Sequence, residues 1–137
     1  MISIREIKSS EFEIANNILT TEGIYDDMLQ GIVYVLIEGN RVIGISKMRI
    51  KDKYGILDYI VIKEENRGFD YGDGLLRAVL FKANAMGIKE VYCAKHHQYL
   101  IKKGFHYSGD SSNTPYELSL NIDNFFNNCC CGDKNEI

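Results

Sequence analysis

Several features that would assign this chain to a particular class are missing from its sequence. No apolar run approaches the ~20 residues that a membrane-spanning helix requires, and residues 1–10 acquire charge at Arg5, unlike a signal peptide. The formal net charge of −3, without any basic stripe, argues against a nucleic-acid partner. Neither an internal repeat nor a low-complexity linker is present. We therefore expect a cytoplasmic protein whose partners include no membrane and no nucleic acid.

The four cysteines have a spacing that is unsuited to a metal site or a disulfide framework. Of the four cysteines, Cys93 lies in a strand-like segment and is predicted to be a small buried core residue. Cys129, Cys130 and Cys131 are consecutive, so they cannot easily converge on one tetrahedral zinc, and no C-x-x-C pair is present. We interpret them as a reactive but incidental tail. Soft-metal binding and a redox-sensitive contact between subunits of a homodimer remain open.

The composition that remains is that of one compact α/β domain. The 137 residues are 45% hydrophobic and 26% charged, enough for one substantial core but not two. We predict a single domain at residues 1–121 and a tail at residues 122–137. Alternation and short apolar runs predict strands at residues 3–7, 32–38, 41–50, 56–62, 90–94, 105–108 and 116–121.

Helices are predicted between these strands. The first is capped by Ser9 or Ser10, with Glu13 placed as in a capping box, and it ends near Thr20. Residues 23–30 are predicted to be short helical or irregular chain, and residues 96–103 a late helix. The most regular helix follows residue 70 and ends at Gly87. Its apolar stripe comprises Leu75, Leu76, Val79, Leu80, Ala83 and Met86.

Residues 56–76 are the most informative stretch, because a strand, a Gly-rich turn and a helix follow one another directly. The strand is apolar on both faces except at Asp58, as expected of a central strand covered on both sides. The turn then places unpaired N–H groups and the positive end of a helix dipole at the carboxyl end of that strand. Such a site favours a phosphate or pyrophosphate group, although an ordinary tight turn remains the alternative. The segment Gly72-Asp73-Gly74 has no lysine, so it lacks the P-loop pattern, and the dinucleotide-binding spacing is also missing.

The sequence RGFDYGDGLL resembles instead the acyl-CoA pyrophosphate loop of the GNAT N-acetyltransferase superfamily. That pattern is Arg/Gln-x-x-Gly-x-Gly/Ala after a strand ending in Val or Ile. Arg67 fills its first position and Gly72 its last, Asp70 stands in place of the usual first glycine, and Ile62 lies five residues before Arg67. YLIKKGF, residues 99–105, resembles the family's segment ending in Tyr-x-x-x-Gly-Phe. The resemblance covers roughly two-thirds of the chain.

This resemblance implies a fold and a cofactor. The fold is a mixed, mostly antiparallel sheet of six or seven strands with helices on both faces, in which strands 56–62 and 90–94 diverge like a V. The co-substrate is acetyl-CoA, whose pantetheine arm pairs with backbone groups in this split. The implied binding residues are Ile60, Val61 and Ile62 for that arm, and Arg67, Gly68, Phe69, Asp70, Tyr71, Gly72, Asp73 and Gly74 for the pyrophosphate.

The implied activity is transfer of an acetyl group from acetyl-CoA to an unidentified amine by direct attack, which needs no metal. The family's usual acid, a tyrosine, falls at Leu100, so the neighbouring Tyr99 is the candidate. Asp58 is the candidate base, although a structural Arg or Lys partner would explain this carboxylate equally well. His96 and His97 are alternative bases, or simply solvated residues at a helix start.

Two departures from the family pattern leave a second interpretation open. Leu100 replaces the usual acid, and the carboxylates of Asp70 and Asp73 would repel a pyrophosphate at close range. A degenerate member of the fold that binds CoA or a protein partner without catalysis is therefore the alternative. An unrelated α/β fold is the third.

Overall fold

The computed structural model describes residues 1–27, 30–108 and 115–127. Two short 3₁₀ turns, Ser9–Glu11 and Glu64–Asn66, accompany the regular elements. In chain order, the strands and helices are β1 (Ile2–Glu6), α1 (Phe12–Thr21), β2 (Ile32–Glu38), β3 (Arg41–Lys51), β4 (Tyr54–Ile62), α2 (Tyr71–Ala85), β5 (Glu90–Cys93), α3 (Gln98–Lys103), β6 (His106–Tyr107) and β7 (Leu118–Asn121). A further helix covers residues 122–127. Among the described residues, no helix is both long and apolar enough to cross a membrane.

The strands form a seven-stranded sheet in the order β1-β2-β3-β4-β5-β7-β6. Antiparallel ladders join β1 to β2, β2 to β3, β5 to β7 and β6 to β7, whereas β4 and β5 are parallel. The parallel ladder pairs Gly55 with Val91 and Ile56 with Tyr92. The predicted mixed, mostly antiparallel α/β sheet is therefore confirmed.

The chain divides into two compact units. The first contains residues 1–49 and 58–82, and the second contains residues 50–57 and 83–137. Both β3 and β4 contribute residues to each unit, as does α2.

Two hydrophobic clusters of the first unit cover alternate residues of β4. Tyr59 and Val61 pack with a cluster that includes Leu19 of α1. Ile60 and Ile62 pack with a cluster that includes Leu75 of α2. Since successive side chains of a strand point to opposite faces, α1 and α2 cover opposite faces of the sheet in this unit.

In the second unit β5 pairs with β7, and the buried residues include Val91, Leu100 and Phe105. Three tyrosines also form an aromatic cluster there: Tyr92 stacks on Tyr116 with ring centroids 5.5 Å apart, and the ring centroid of Tyr54 lies 5.2 Å from that of Tyr92. The helix at residues 122–127 follows β7 directly and buries Ile122 and Phe125. The rest of the predicted tail, including Cys129, Cys130 and Cys131, lies outside the described residues.

The strand and helix positions agree with the sequence predictions to within a few residues, but four details differ. Met86 is 52% exposed and lies beyond α2, although the apolar stripe had included it. Cys93 is half-buried rather than fully buried. Residues 24–27 form no helix, and the strand predicted at residues 105–108 contains only His106 and Tyr107. Phe105, just before it, is buried.

The predicted capping box at Glu13 is wrong, because the capping box forms two residues earlier, at the 3₁₀ turn Ser9–Glu11. The carboxylate of Glu11, not Glu13, accepts the backbone N–H of Lys8 at 2.9 Å. Arg5 donates to both oxygens of the same carboxylate, at 2.9 and 2.6 Å. This side-chain contact with Arg5 lowers the pKa of Glu11 to about 2, despite partial burial. Glu11 therefore keeps its negative charge at acidic pH values at which an ordinary glutamate would be protonated.

A buried polar network ties the segment after α1 to the sheet in the first unit. Lys47 of β3 is only 3% exposed, and its ammonium donates to the two carboxylate oxygens of Asp26 at 2.9 and 2.8 Å. The hydroxyl of Tyr59 donates to the same carboxylate at 2.8 Å. Burial, together with this hydrogen bond to Asp26, raises the pKa of Tyr59 well above its usual range. Tyr59 therefore remains a hydrogen-bond donor at any physiological pH.

We expect Asp26→Ala to lower the free energy of unfolding by about 3 kcal/mol, because it leaves the buried ammonium of Lys47 without this carboxylate. Tyr59→Phe is the control: it removes one hydrogen bond to the carboxylate and should cost about 1.5 kcal/mol. Urea unfolding followed by circular dichroism measures both. Equal small decreases in the free energy of unfolding for the two variants would show that the network does not stabilise the segment after α1.

Candidate functional site

The connection from β4 to α2 sets the geometry of the candidate site in the first unit. After Ile62 the chain makes the 3₁₀ turn at Glu64–Asn66 and then passes through two residues with left-handed backbone. These are Gly68, with φ of +96°, and Asp70, with φ of +60°. The next residue, Tyr71, begins the fifteen-residue helix α2. The first-turn N–H groups of a helix have no partner within it, and they carry the positive end of its dipole.

The backbone of Asp70 gives a physical reason for the family's glycine at this position. A positive φ suits glycine, but aspartate and asparagine are the side-chain-bearing residues that tolerate it best. The carbonyl of Asp70 also accepts the N–H of Asp73 at 3.2 Å, which closes the turn into the helix. The aspartate therefore preserves the loop's shape while adding a charge.

Packing against β3 and β1 supports the start of α2, and sequence analysis missed the residues responsible. A Cβ on Gly44 would lie 2.7 Å from Cδ1 of Ile62 and 3.1 Å from Cδ1 of Leu75, so glycine permits this close approach. The hydroxyl of Ser46 donates to the carbonyl of Leu75 at 3.2 Å. A Cβ on Gly74 would lie 2.7 Å from Cδ1 of Ile4. An isolated glycine within a strand pattern was the available signal for Gly44.

Arg67 bridges the end of β4 and the end of α1. Its Nε donates to the carbonyl of Ile62 at 2.8 Å, and its Nη2 lies 2.9 Å from a carboxylate oxygen of Glu22. The guanidinium thus lies at the entrance to the loop, with a protein carboxylate beside it. Since a guanidinium has five N–H donors, these contacts leave it further donors for an anion.

The carboxylate of Asp73 is directed along the helix. Nε of Arg77, one turn further on, donates to it at 2.7 Å. This pair reduces the repulsion that Asp73 would exert on an anion at the helix start. It also places an acidic residue in the first turn, where it complements the helix dipole.

The last residues of β4 have different surroundings. Val61 is buried on the α1 side, whereas Ile60 and Ile62 are half-buried on the α2 side. The Ile62 carbonyl is engaged by Arg67, and the N–H of Lys63 donates to the carbonyl of Ile43 at 2.9 Å.

Asp58 has a structural partner. Arg49 of β3 donates to its carboxylate through Nε, at 3.0 and 2.7 Å, and through Nη2, at 2.8 Å. The Asp58 side chain is 19% exposed and that of Arg49 is 47% exposed. This bidentate ion pair is the structural alternative considered for Asp58, and it accounts for a carboxylate within the apolar strand.

The second unit contains the remaining predicted residues. His97 caps α3, its Nδ1 accepting the N–H of Tyr99 at 3.2 Å. Tyr99 is half-buried, and the ammonium of Lys103 lies 5.4 Å from the centroid of its ring. Leu100 is buried at 5% exposure, so it belongs to the core of this unit. His96 is exposed and stacks on Tyr107, with ring centroids 5.7 Å apart.

A surface groove of about 450 Å³ lies beside α1 in the first unit. Its walls include Ile14 and Asn17 of α1 and Val61 of β4, and three glutamates and one lysine contribute charge. The charged residues are Glu22, Glu64, Glu65 and Lys63. The excess of acidic groups favours a cationic ligand over an anionic one.

Solved structures with the same fold include N-acetyltransferases. The PaiA N-acetyltransferase of Thermoplasma acidophilum, solved in complex with coenzyme A, aligns with a TM-score of 0.73 at 17% identity, covering 88% of this chain and 99% of that one. A GNAT-family acetyltransferase of Staphylococcus aureus Mu50 gives 0.74 at 15% identity, covering 89% and 99%. The ribosomal-protein-S18-alanine N-acetyltransferase of Escherichia coli gives 0.72 at 12% identity, covering 89% and 94%.

No protein-family model and no curated protein matches this sequence. The structural likenesses establish the fold: this chain has the fold of the GNAT N-acetyltransferases, as the β4–loop–α2 segment predicted.

Proposed function

We propose that this protein is a GNAT-superfamily N-acetyltransferase that transfers the acetyl group of acetyl-CoA to an amine. The observation that carries the proposal is the path from β4 into α2. Left-handed residues at Gly68 and Asp70 bring the first turn of a fifteen-residue helix directly after a central strand. Strand, loop and helix occur in the order in which the sequence resembles the family's pyrophosphate loop.

In this proposal the loop's own groups would bind the pyrophosphate. The N–H groups at the start of α2, apart from that of Asp73, would bind the pyrophosphate, together with the positive end of the helix dipole. Arg67 adds a cation at the entrance. Because Arg77 engages the Asp73 carboxylate, Asp70 is the acidic residue that would oppose the ligand most directly. We therefore expect moderate rather than tight affinity for acetyl-CoA.

The reaction needs no covalent enzyme intermediate. The amine nitrogen attacks the thioester carbonyl carbon, the new C–N bond forms, and the C–S bond breaks. A backbone N–H at Ile60, Val61 or Ile62 would stabilise the developing oxyanion. A base removes a proton from the ammonium so that the free amine attacks, and an acid returns a proton to the departing thiolate.

Asp58 and Tyr99 are the residues that we assign to these proton transfers. Asp58 belongs to β4, on the same face as Ile60 and Ile62, and its hydrogen bonds with Arg49 fix the orientation of its carboxylate. Tyr99 carries a neutral hydroxyl that can donate a proton at pH 7. His96 and His97 remain alternative bases. A CoA-binding protein without catalysis is the competing function, because Leu100 stands at the usual position of the acid.

The first test concerns the loop. Gly72→Glu should weaken acetyl-CoA binding by more than about 10-fold, because a carboxylate then faces the pyrophosphate. The helix should tolerate this change, since an acidic residue in the first turn complements the dipole. Arg67→Ala should cost about 10-fold through loss of a charge-assisted contact. Titration calorimetry measures both; Met86→Glu, which adds the same charge at an exposed residue beyond α2, is the control.

The loop assignment fails if Gly72→Glu and Met86→Glu bind acetyl-CoA with the same affinity. A thiol-release assay over a panel of primary amines then separates the two functions. Turnover supports the transferase, whereas binding of acetyl-CoA without turnover on any amine supports the non-catalytic alternative.

The second test concerns the acid. Tyr99→Phe keeps the ring and deletes the hydroxyl, so kcat should fall by about 100-fold while the affinity for acetyl-CoA changes little. Stopped assays of CoA release, combined with calorimetry on the same variant, measure the two quantities. Unaltered turnover would mean that Tyr99 serves only packing and that the thiolate leaves with a proton from water.

The third test concerns the base. Asp58→Asn should lower kcat by about 100-fold in the thiol-release assay, because the carboxylate that accepts the proton is lost. Arg49→Gln is the matched control, since it breaks the ion pair but keeps the carboxylate. If both variants lose stability alike and retain kcat per folded molecule, Asp58 has only its structural role.

A further inference from the structure

The loop that would hold the pyrophosphate also carries an exposed aromatic pair. Phe69 is 65% exposed, and its ring stacks on that of Tyr71 with centroids 5.5 Å apart and an interplanar angle of 28°. Tyr71 is half-buried and packs against the cluster that contains Leu36, Ile43 and Leu75. The ring of Tyr71 is therefore anchored to the core of the first unit, and the ring of Phe69 is exposed to solvent.

The backbone on both sides of Phe69 fixes the position of this pair. Gly68 and Asp70, its two neighbours, are the left-handed residues of the loop. Phe69 lies two residues before the first residue of α2, so its Cα is within about 8 Å of the helix start. A ring in this position is close to any phosphate bound at the first turn.

We infer that Phe69 is a stacking platform for the adenine of coenzyme A. This inference rests on the proposed function, which puts the pyrophosphate at the start of α2. The adenine of CoA is joined to that pyrophosphate through a single ribose, so the base must lie near the loop. Every base has a π-face that stacks on an aromatic side chain without hydrogen-bond readout, and Tyr71 supports the opposite face of the Phe69 ring.

The charge of the loop gives this contact its importance. Asp70 and Asp73 weaken the electrostatic attraction that a pyrophosphate would otherwise find. Stacking of a neutral base on a neutral ring is not reduced by these carboxylates. Stacking of adenine on Phe69 thus offsets part of the binding free energy that is lost to the two aspartates. The contribution of stacking to the affinity for CoA should be insensitive to salt.

The test compares two ligands that differ by the nucleotide. CoA contains the adenine, whereas 4′-phosphopantetheine lacks it. Phe69→Ala should weaken CoA binding by about 5- to 100-fold and leave 4′-phosphopantetheine affinity unchanged in titration calorimetry. Phe81→Ala is the matched control, because Phe81 is 67% exposed on α2 outside the loop; it should change neither affinity.

A tryptophan variant allows stacking of adenine at position 69 to be followed by fluorescence. The chain contains no tryptophan, so Phe69→Trp introduces a single indole whose fluorescence reports only on this position. CoA should quench it by stacking, and 4′-phosphopantetheine should not. Quenching by CoA together with the ligand-selective loss in Phe69→Ala supports the platform.

Other results overturn the inference. Equal losses for both ligands in Phe69→Ala would mean that Phe69 shapes the loop rather than binding adenine. Unchanged CoA affinity, or a change only in the oligomeric state seen by analytical ultracentrifugation, would assign the ring to another surface. If the unmodified protein binds CoA and Phe69→Ala binds it equally well, this inference fails while the proposed function stands; if the unmodified protein does not bind CoA, both fail.

Discussion

The candidate site depends on how closely the chain can bring the start of α2 to the end of β4. A strand that turns directly into a helix needs backbone conformations that most residues avoid, and here Gly68 and Asp70 adopt them. The same approach needs space beneath the turn, which Gly44 provides because any Cβ there would meet Ile62 and Leu75. The backbone at Gly44, Gly68 and Asp70 therefore has to allow this approach before any side chain can contribute to the site.

Electrostatics then decide how strongly such a shape can hold an anion. Helix geometry supplies N–H groups and a positive dipole end, and Arg67 adds a cation, but that cation is shared with the Ile62 carbonyl and Glu22. Arg77 draws the carboxylate of Asp73 along the helix. The carboxylates of Asp70, Asp73 and Glu22 thus offset the two arginines, so neutral contacts count for more here than they would beside a lysine-rich loop.

Ion pairs elsewhere in the first unit stabilise the fold. They also show why a carboxylate in an apolar strand does not by itself identify a general base. Lys47 and Asp26 join the segment after α1 to β3, and Arg49 holds Asp58 in a bidentate pair. A bidentate partner explains a partly buried carboxylate and also fixes its orientation. The same geometry therefore suits a structural carboxylate and a general base, and only kinetics separate the two roles.

The sequence by itself determined the strands, the Gly-rich turn and the start of α2, because period, apolar pattern and turn residues are local properties. It did not predict the role of Gly44, the partners of Arg67, which cationic residue would pair with Asp58, or the burial of Ile122 and Phe125. It also placed a helix cap at Glu13, where an arginine from β1 instead favours Glu11. Those features depend on which residues distant in the chain become neighbours, and the tertiary structure alone decides that.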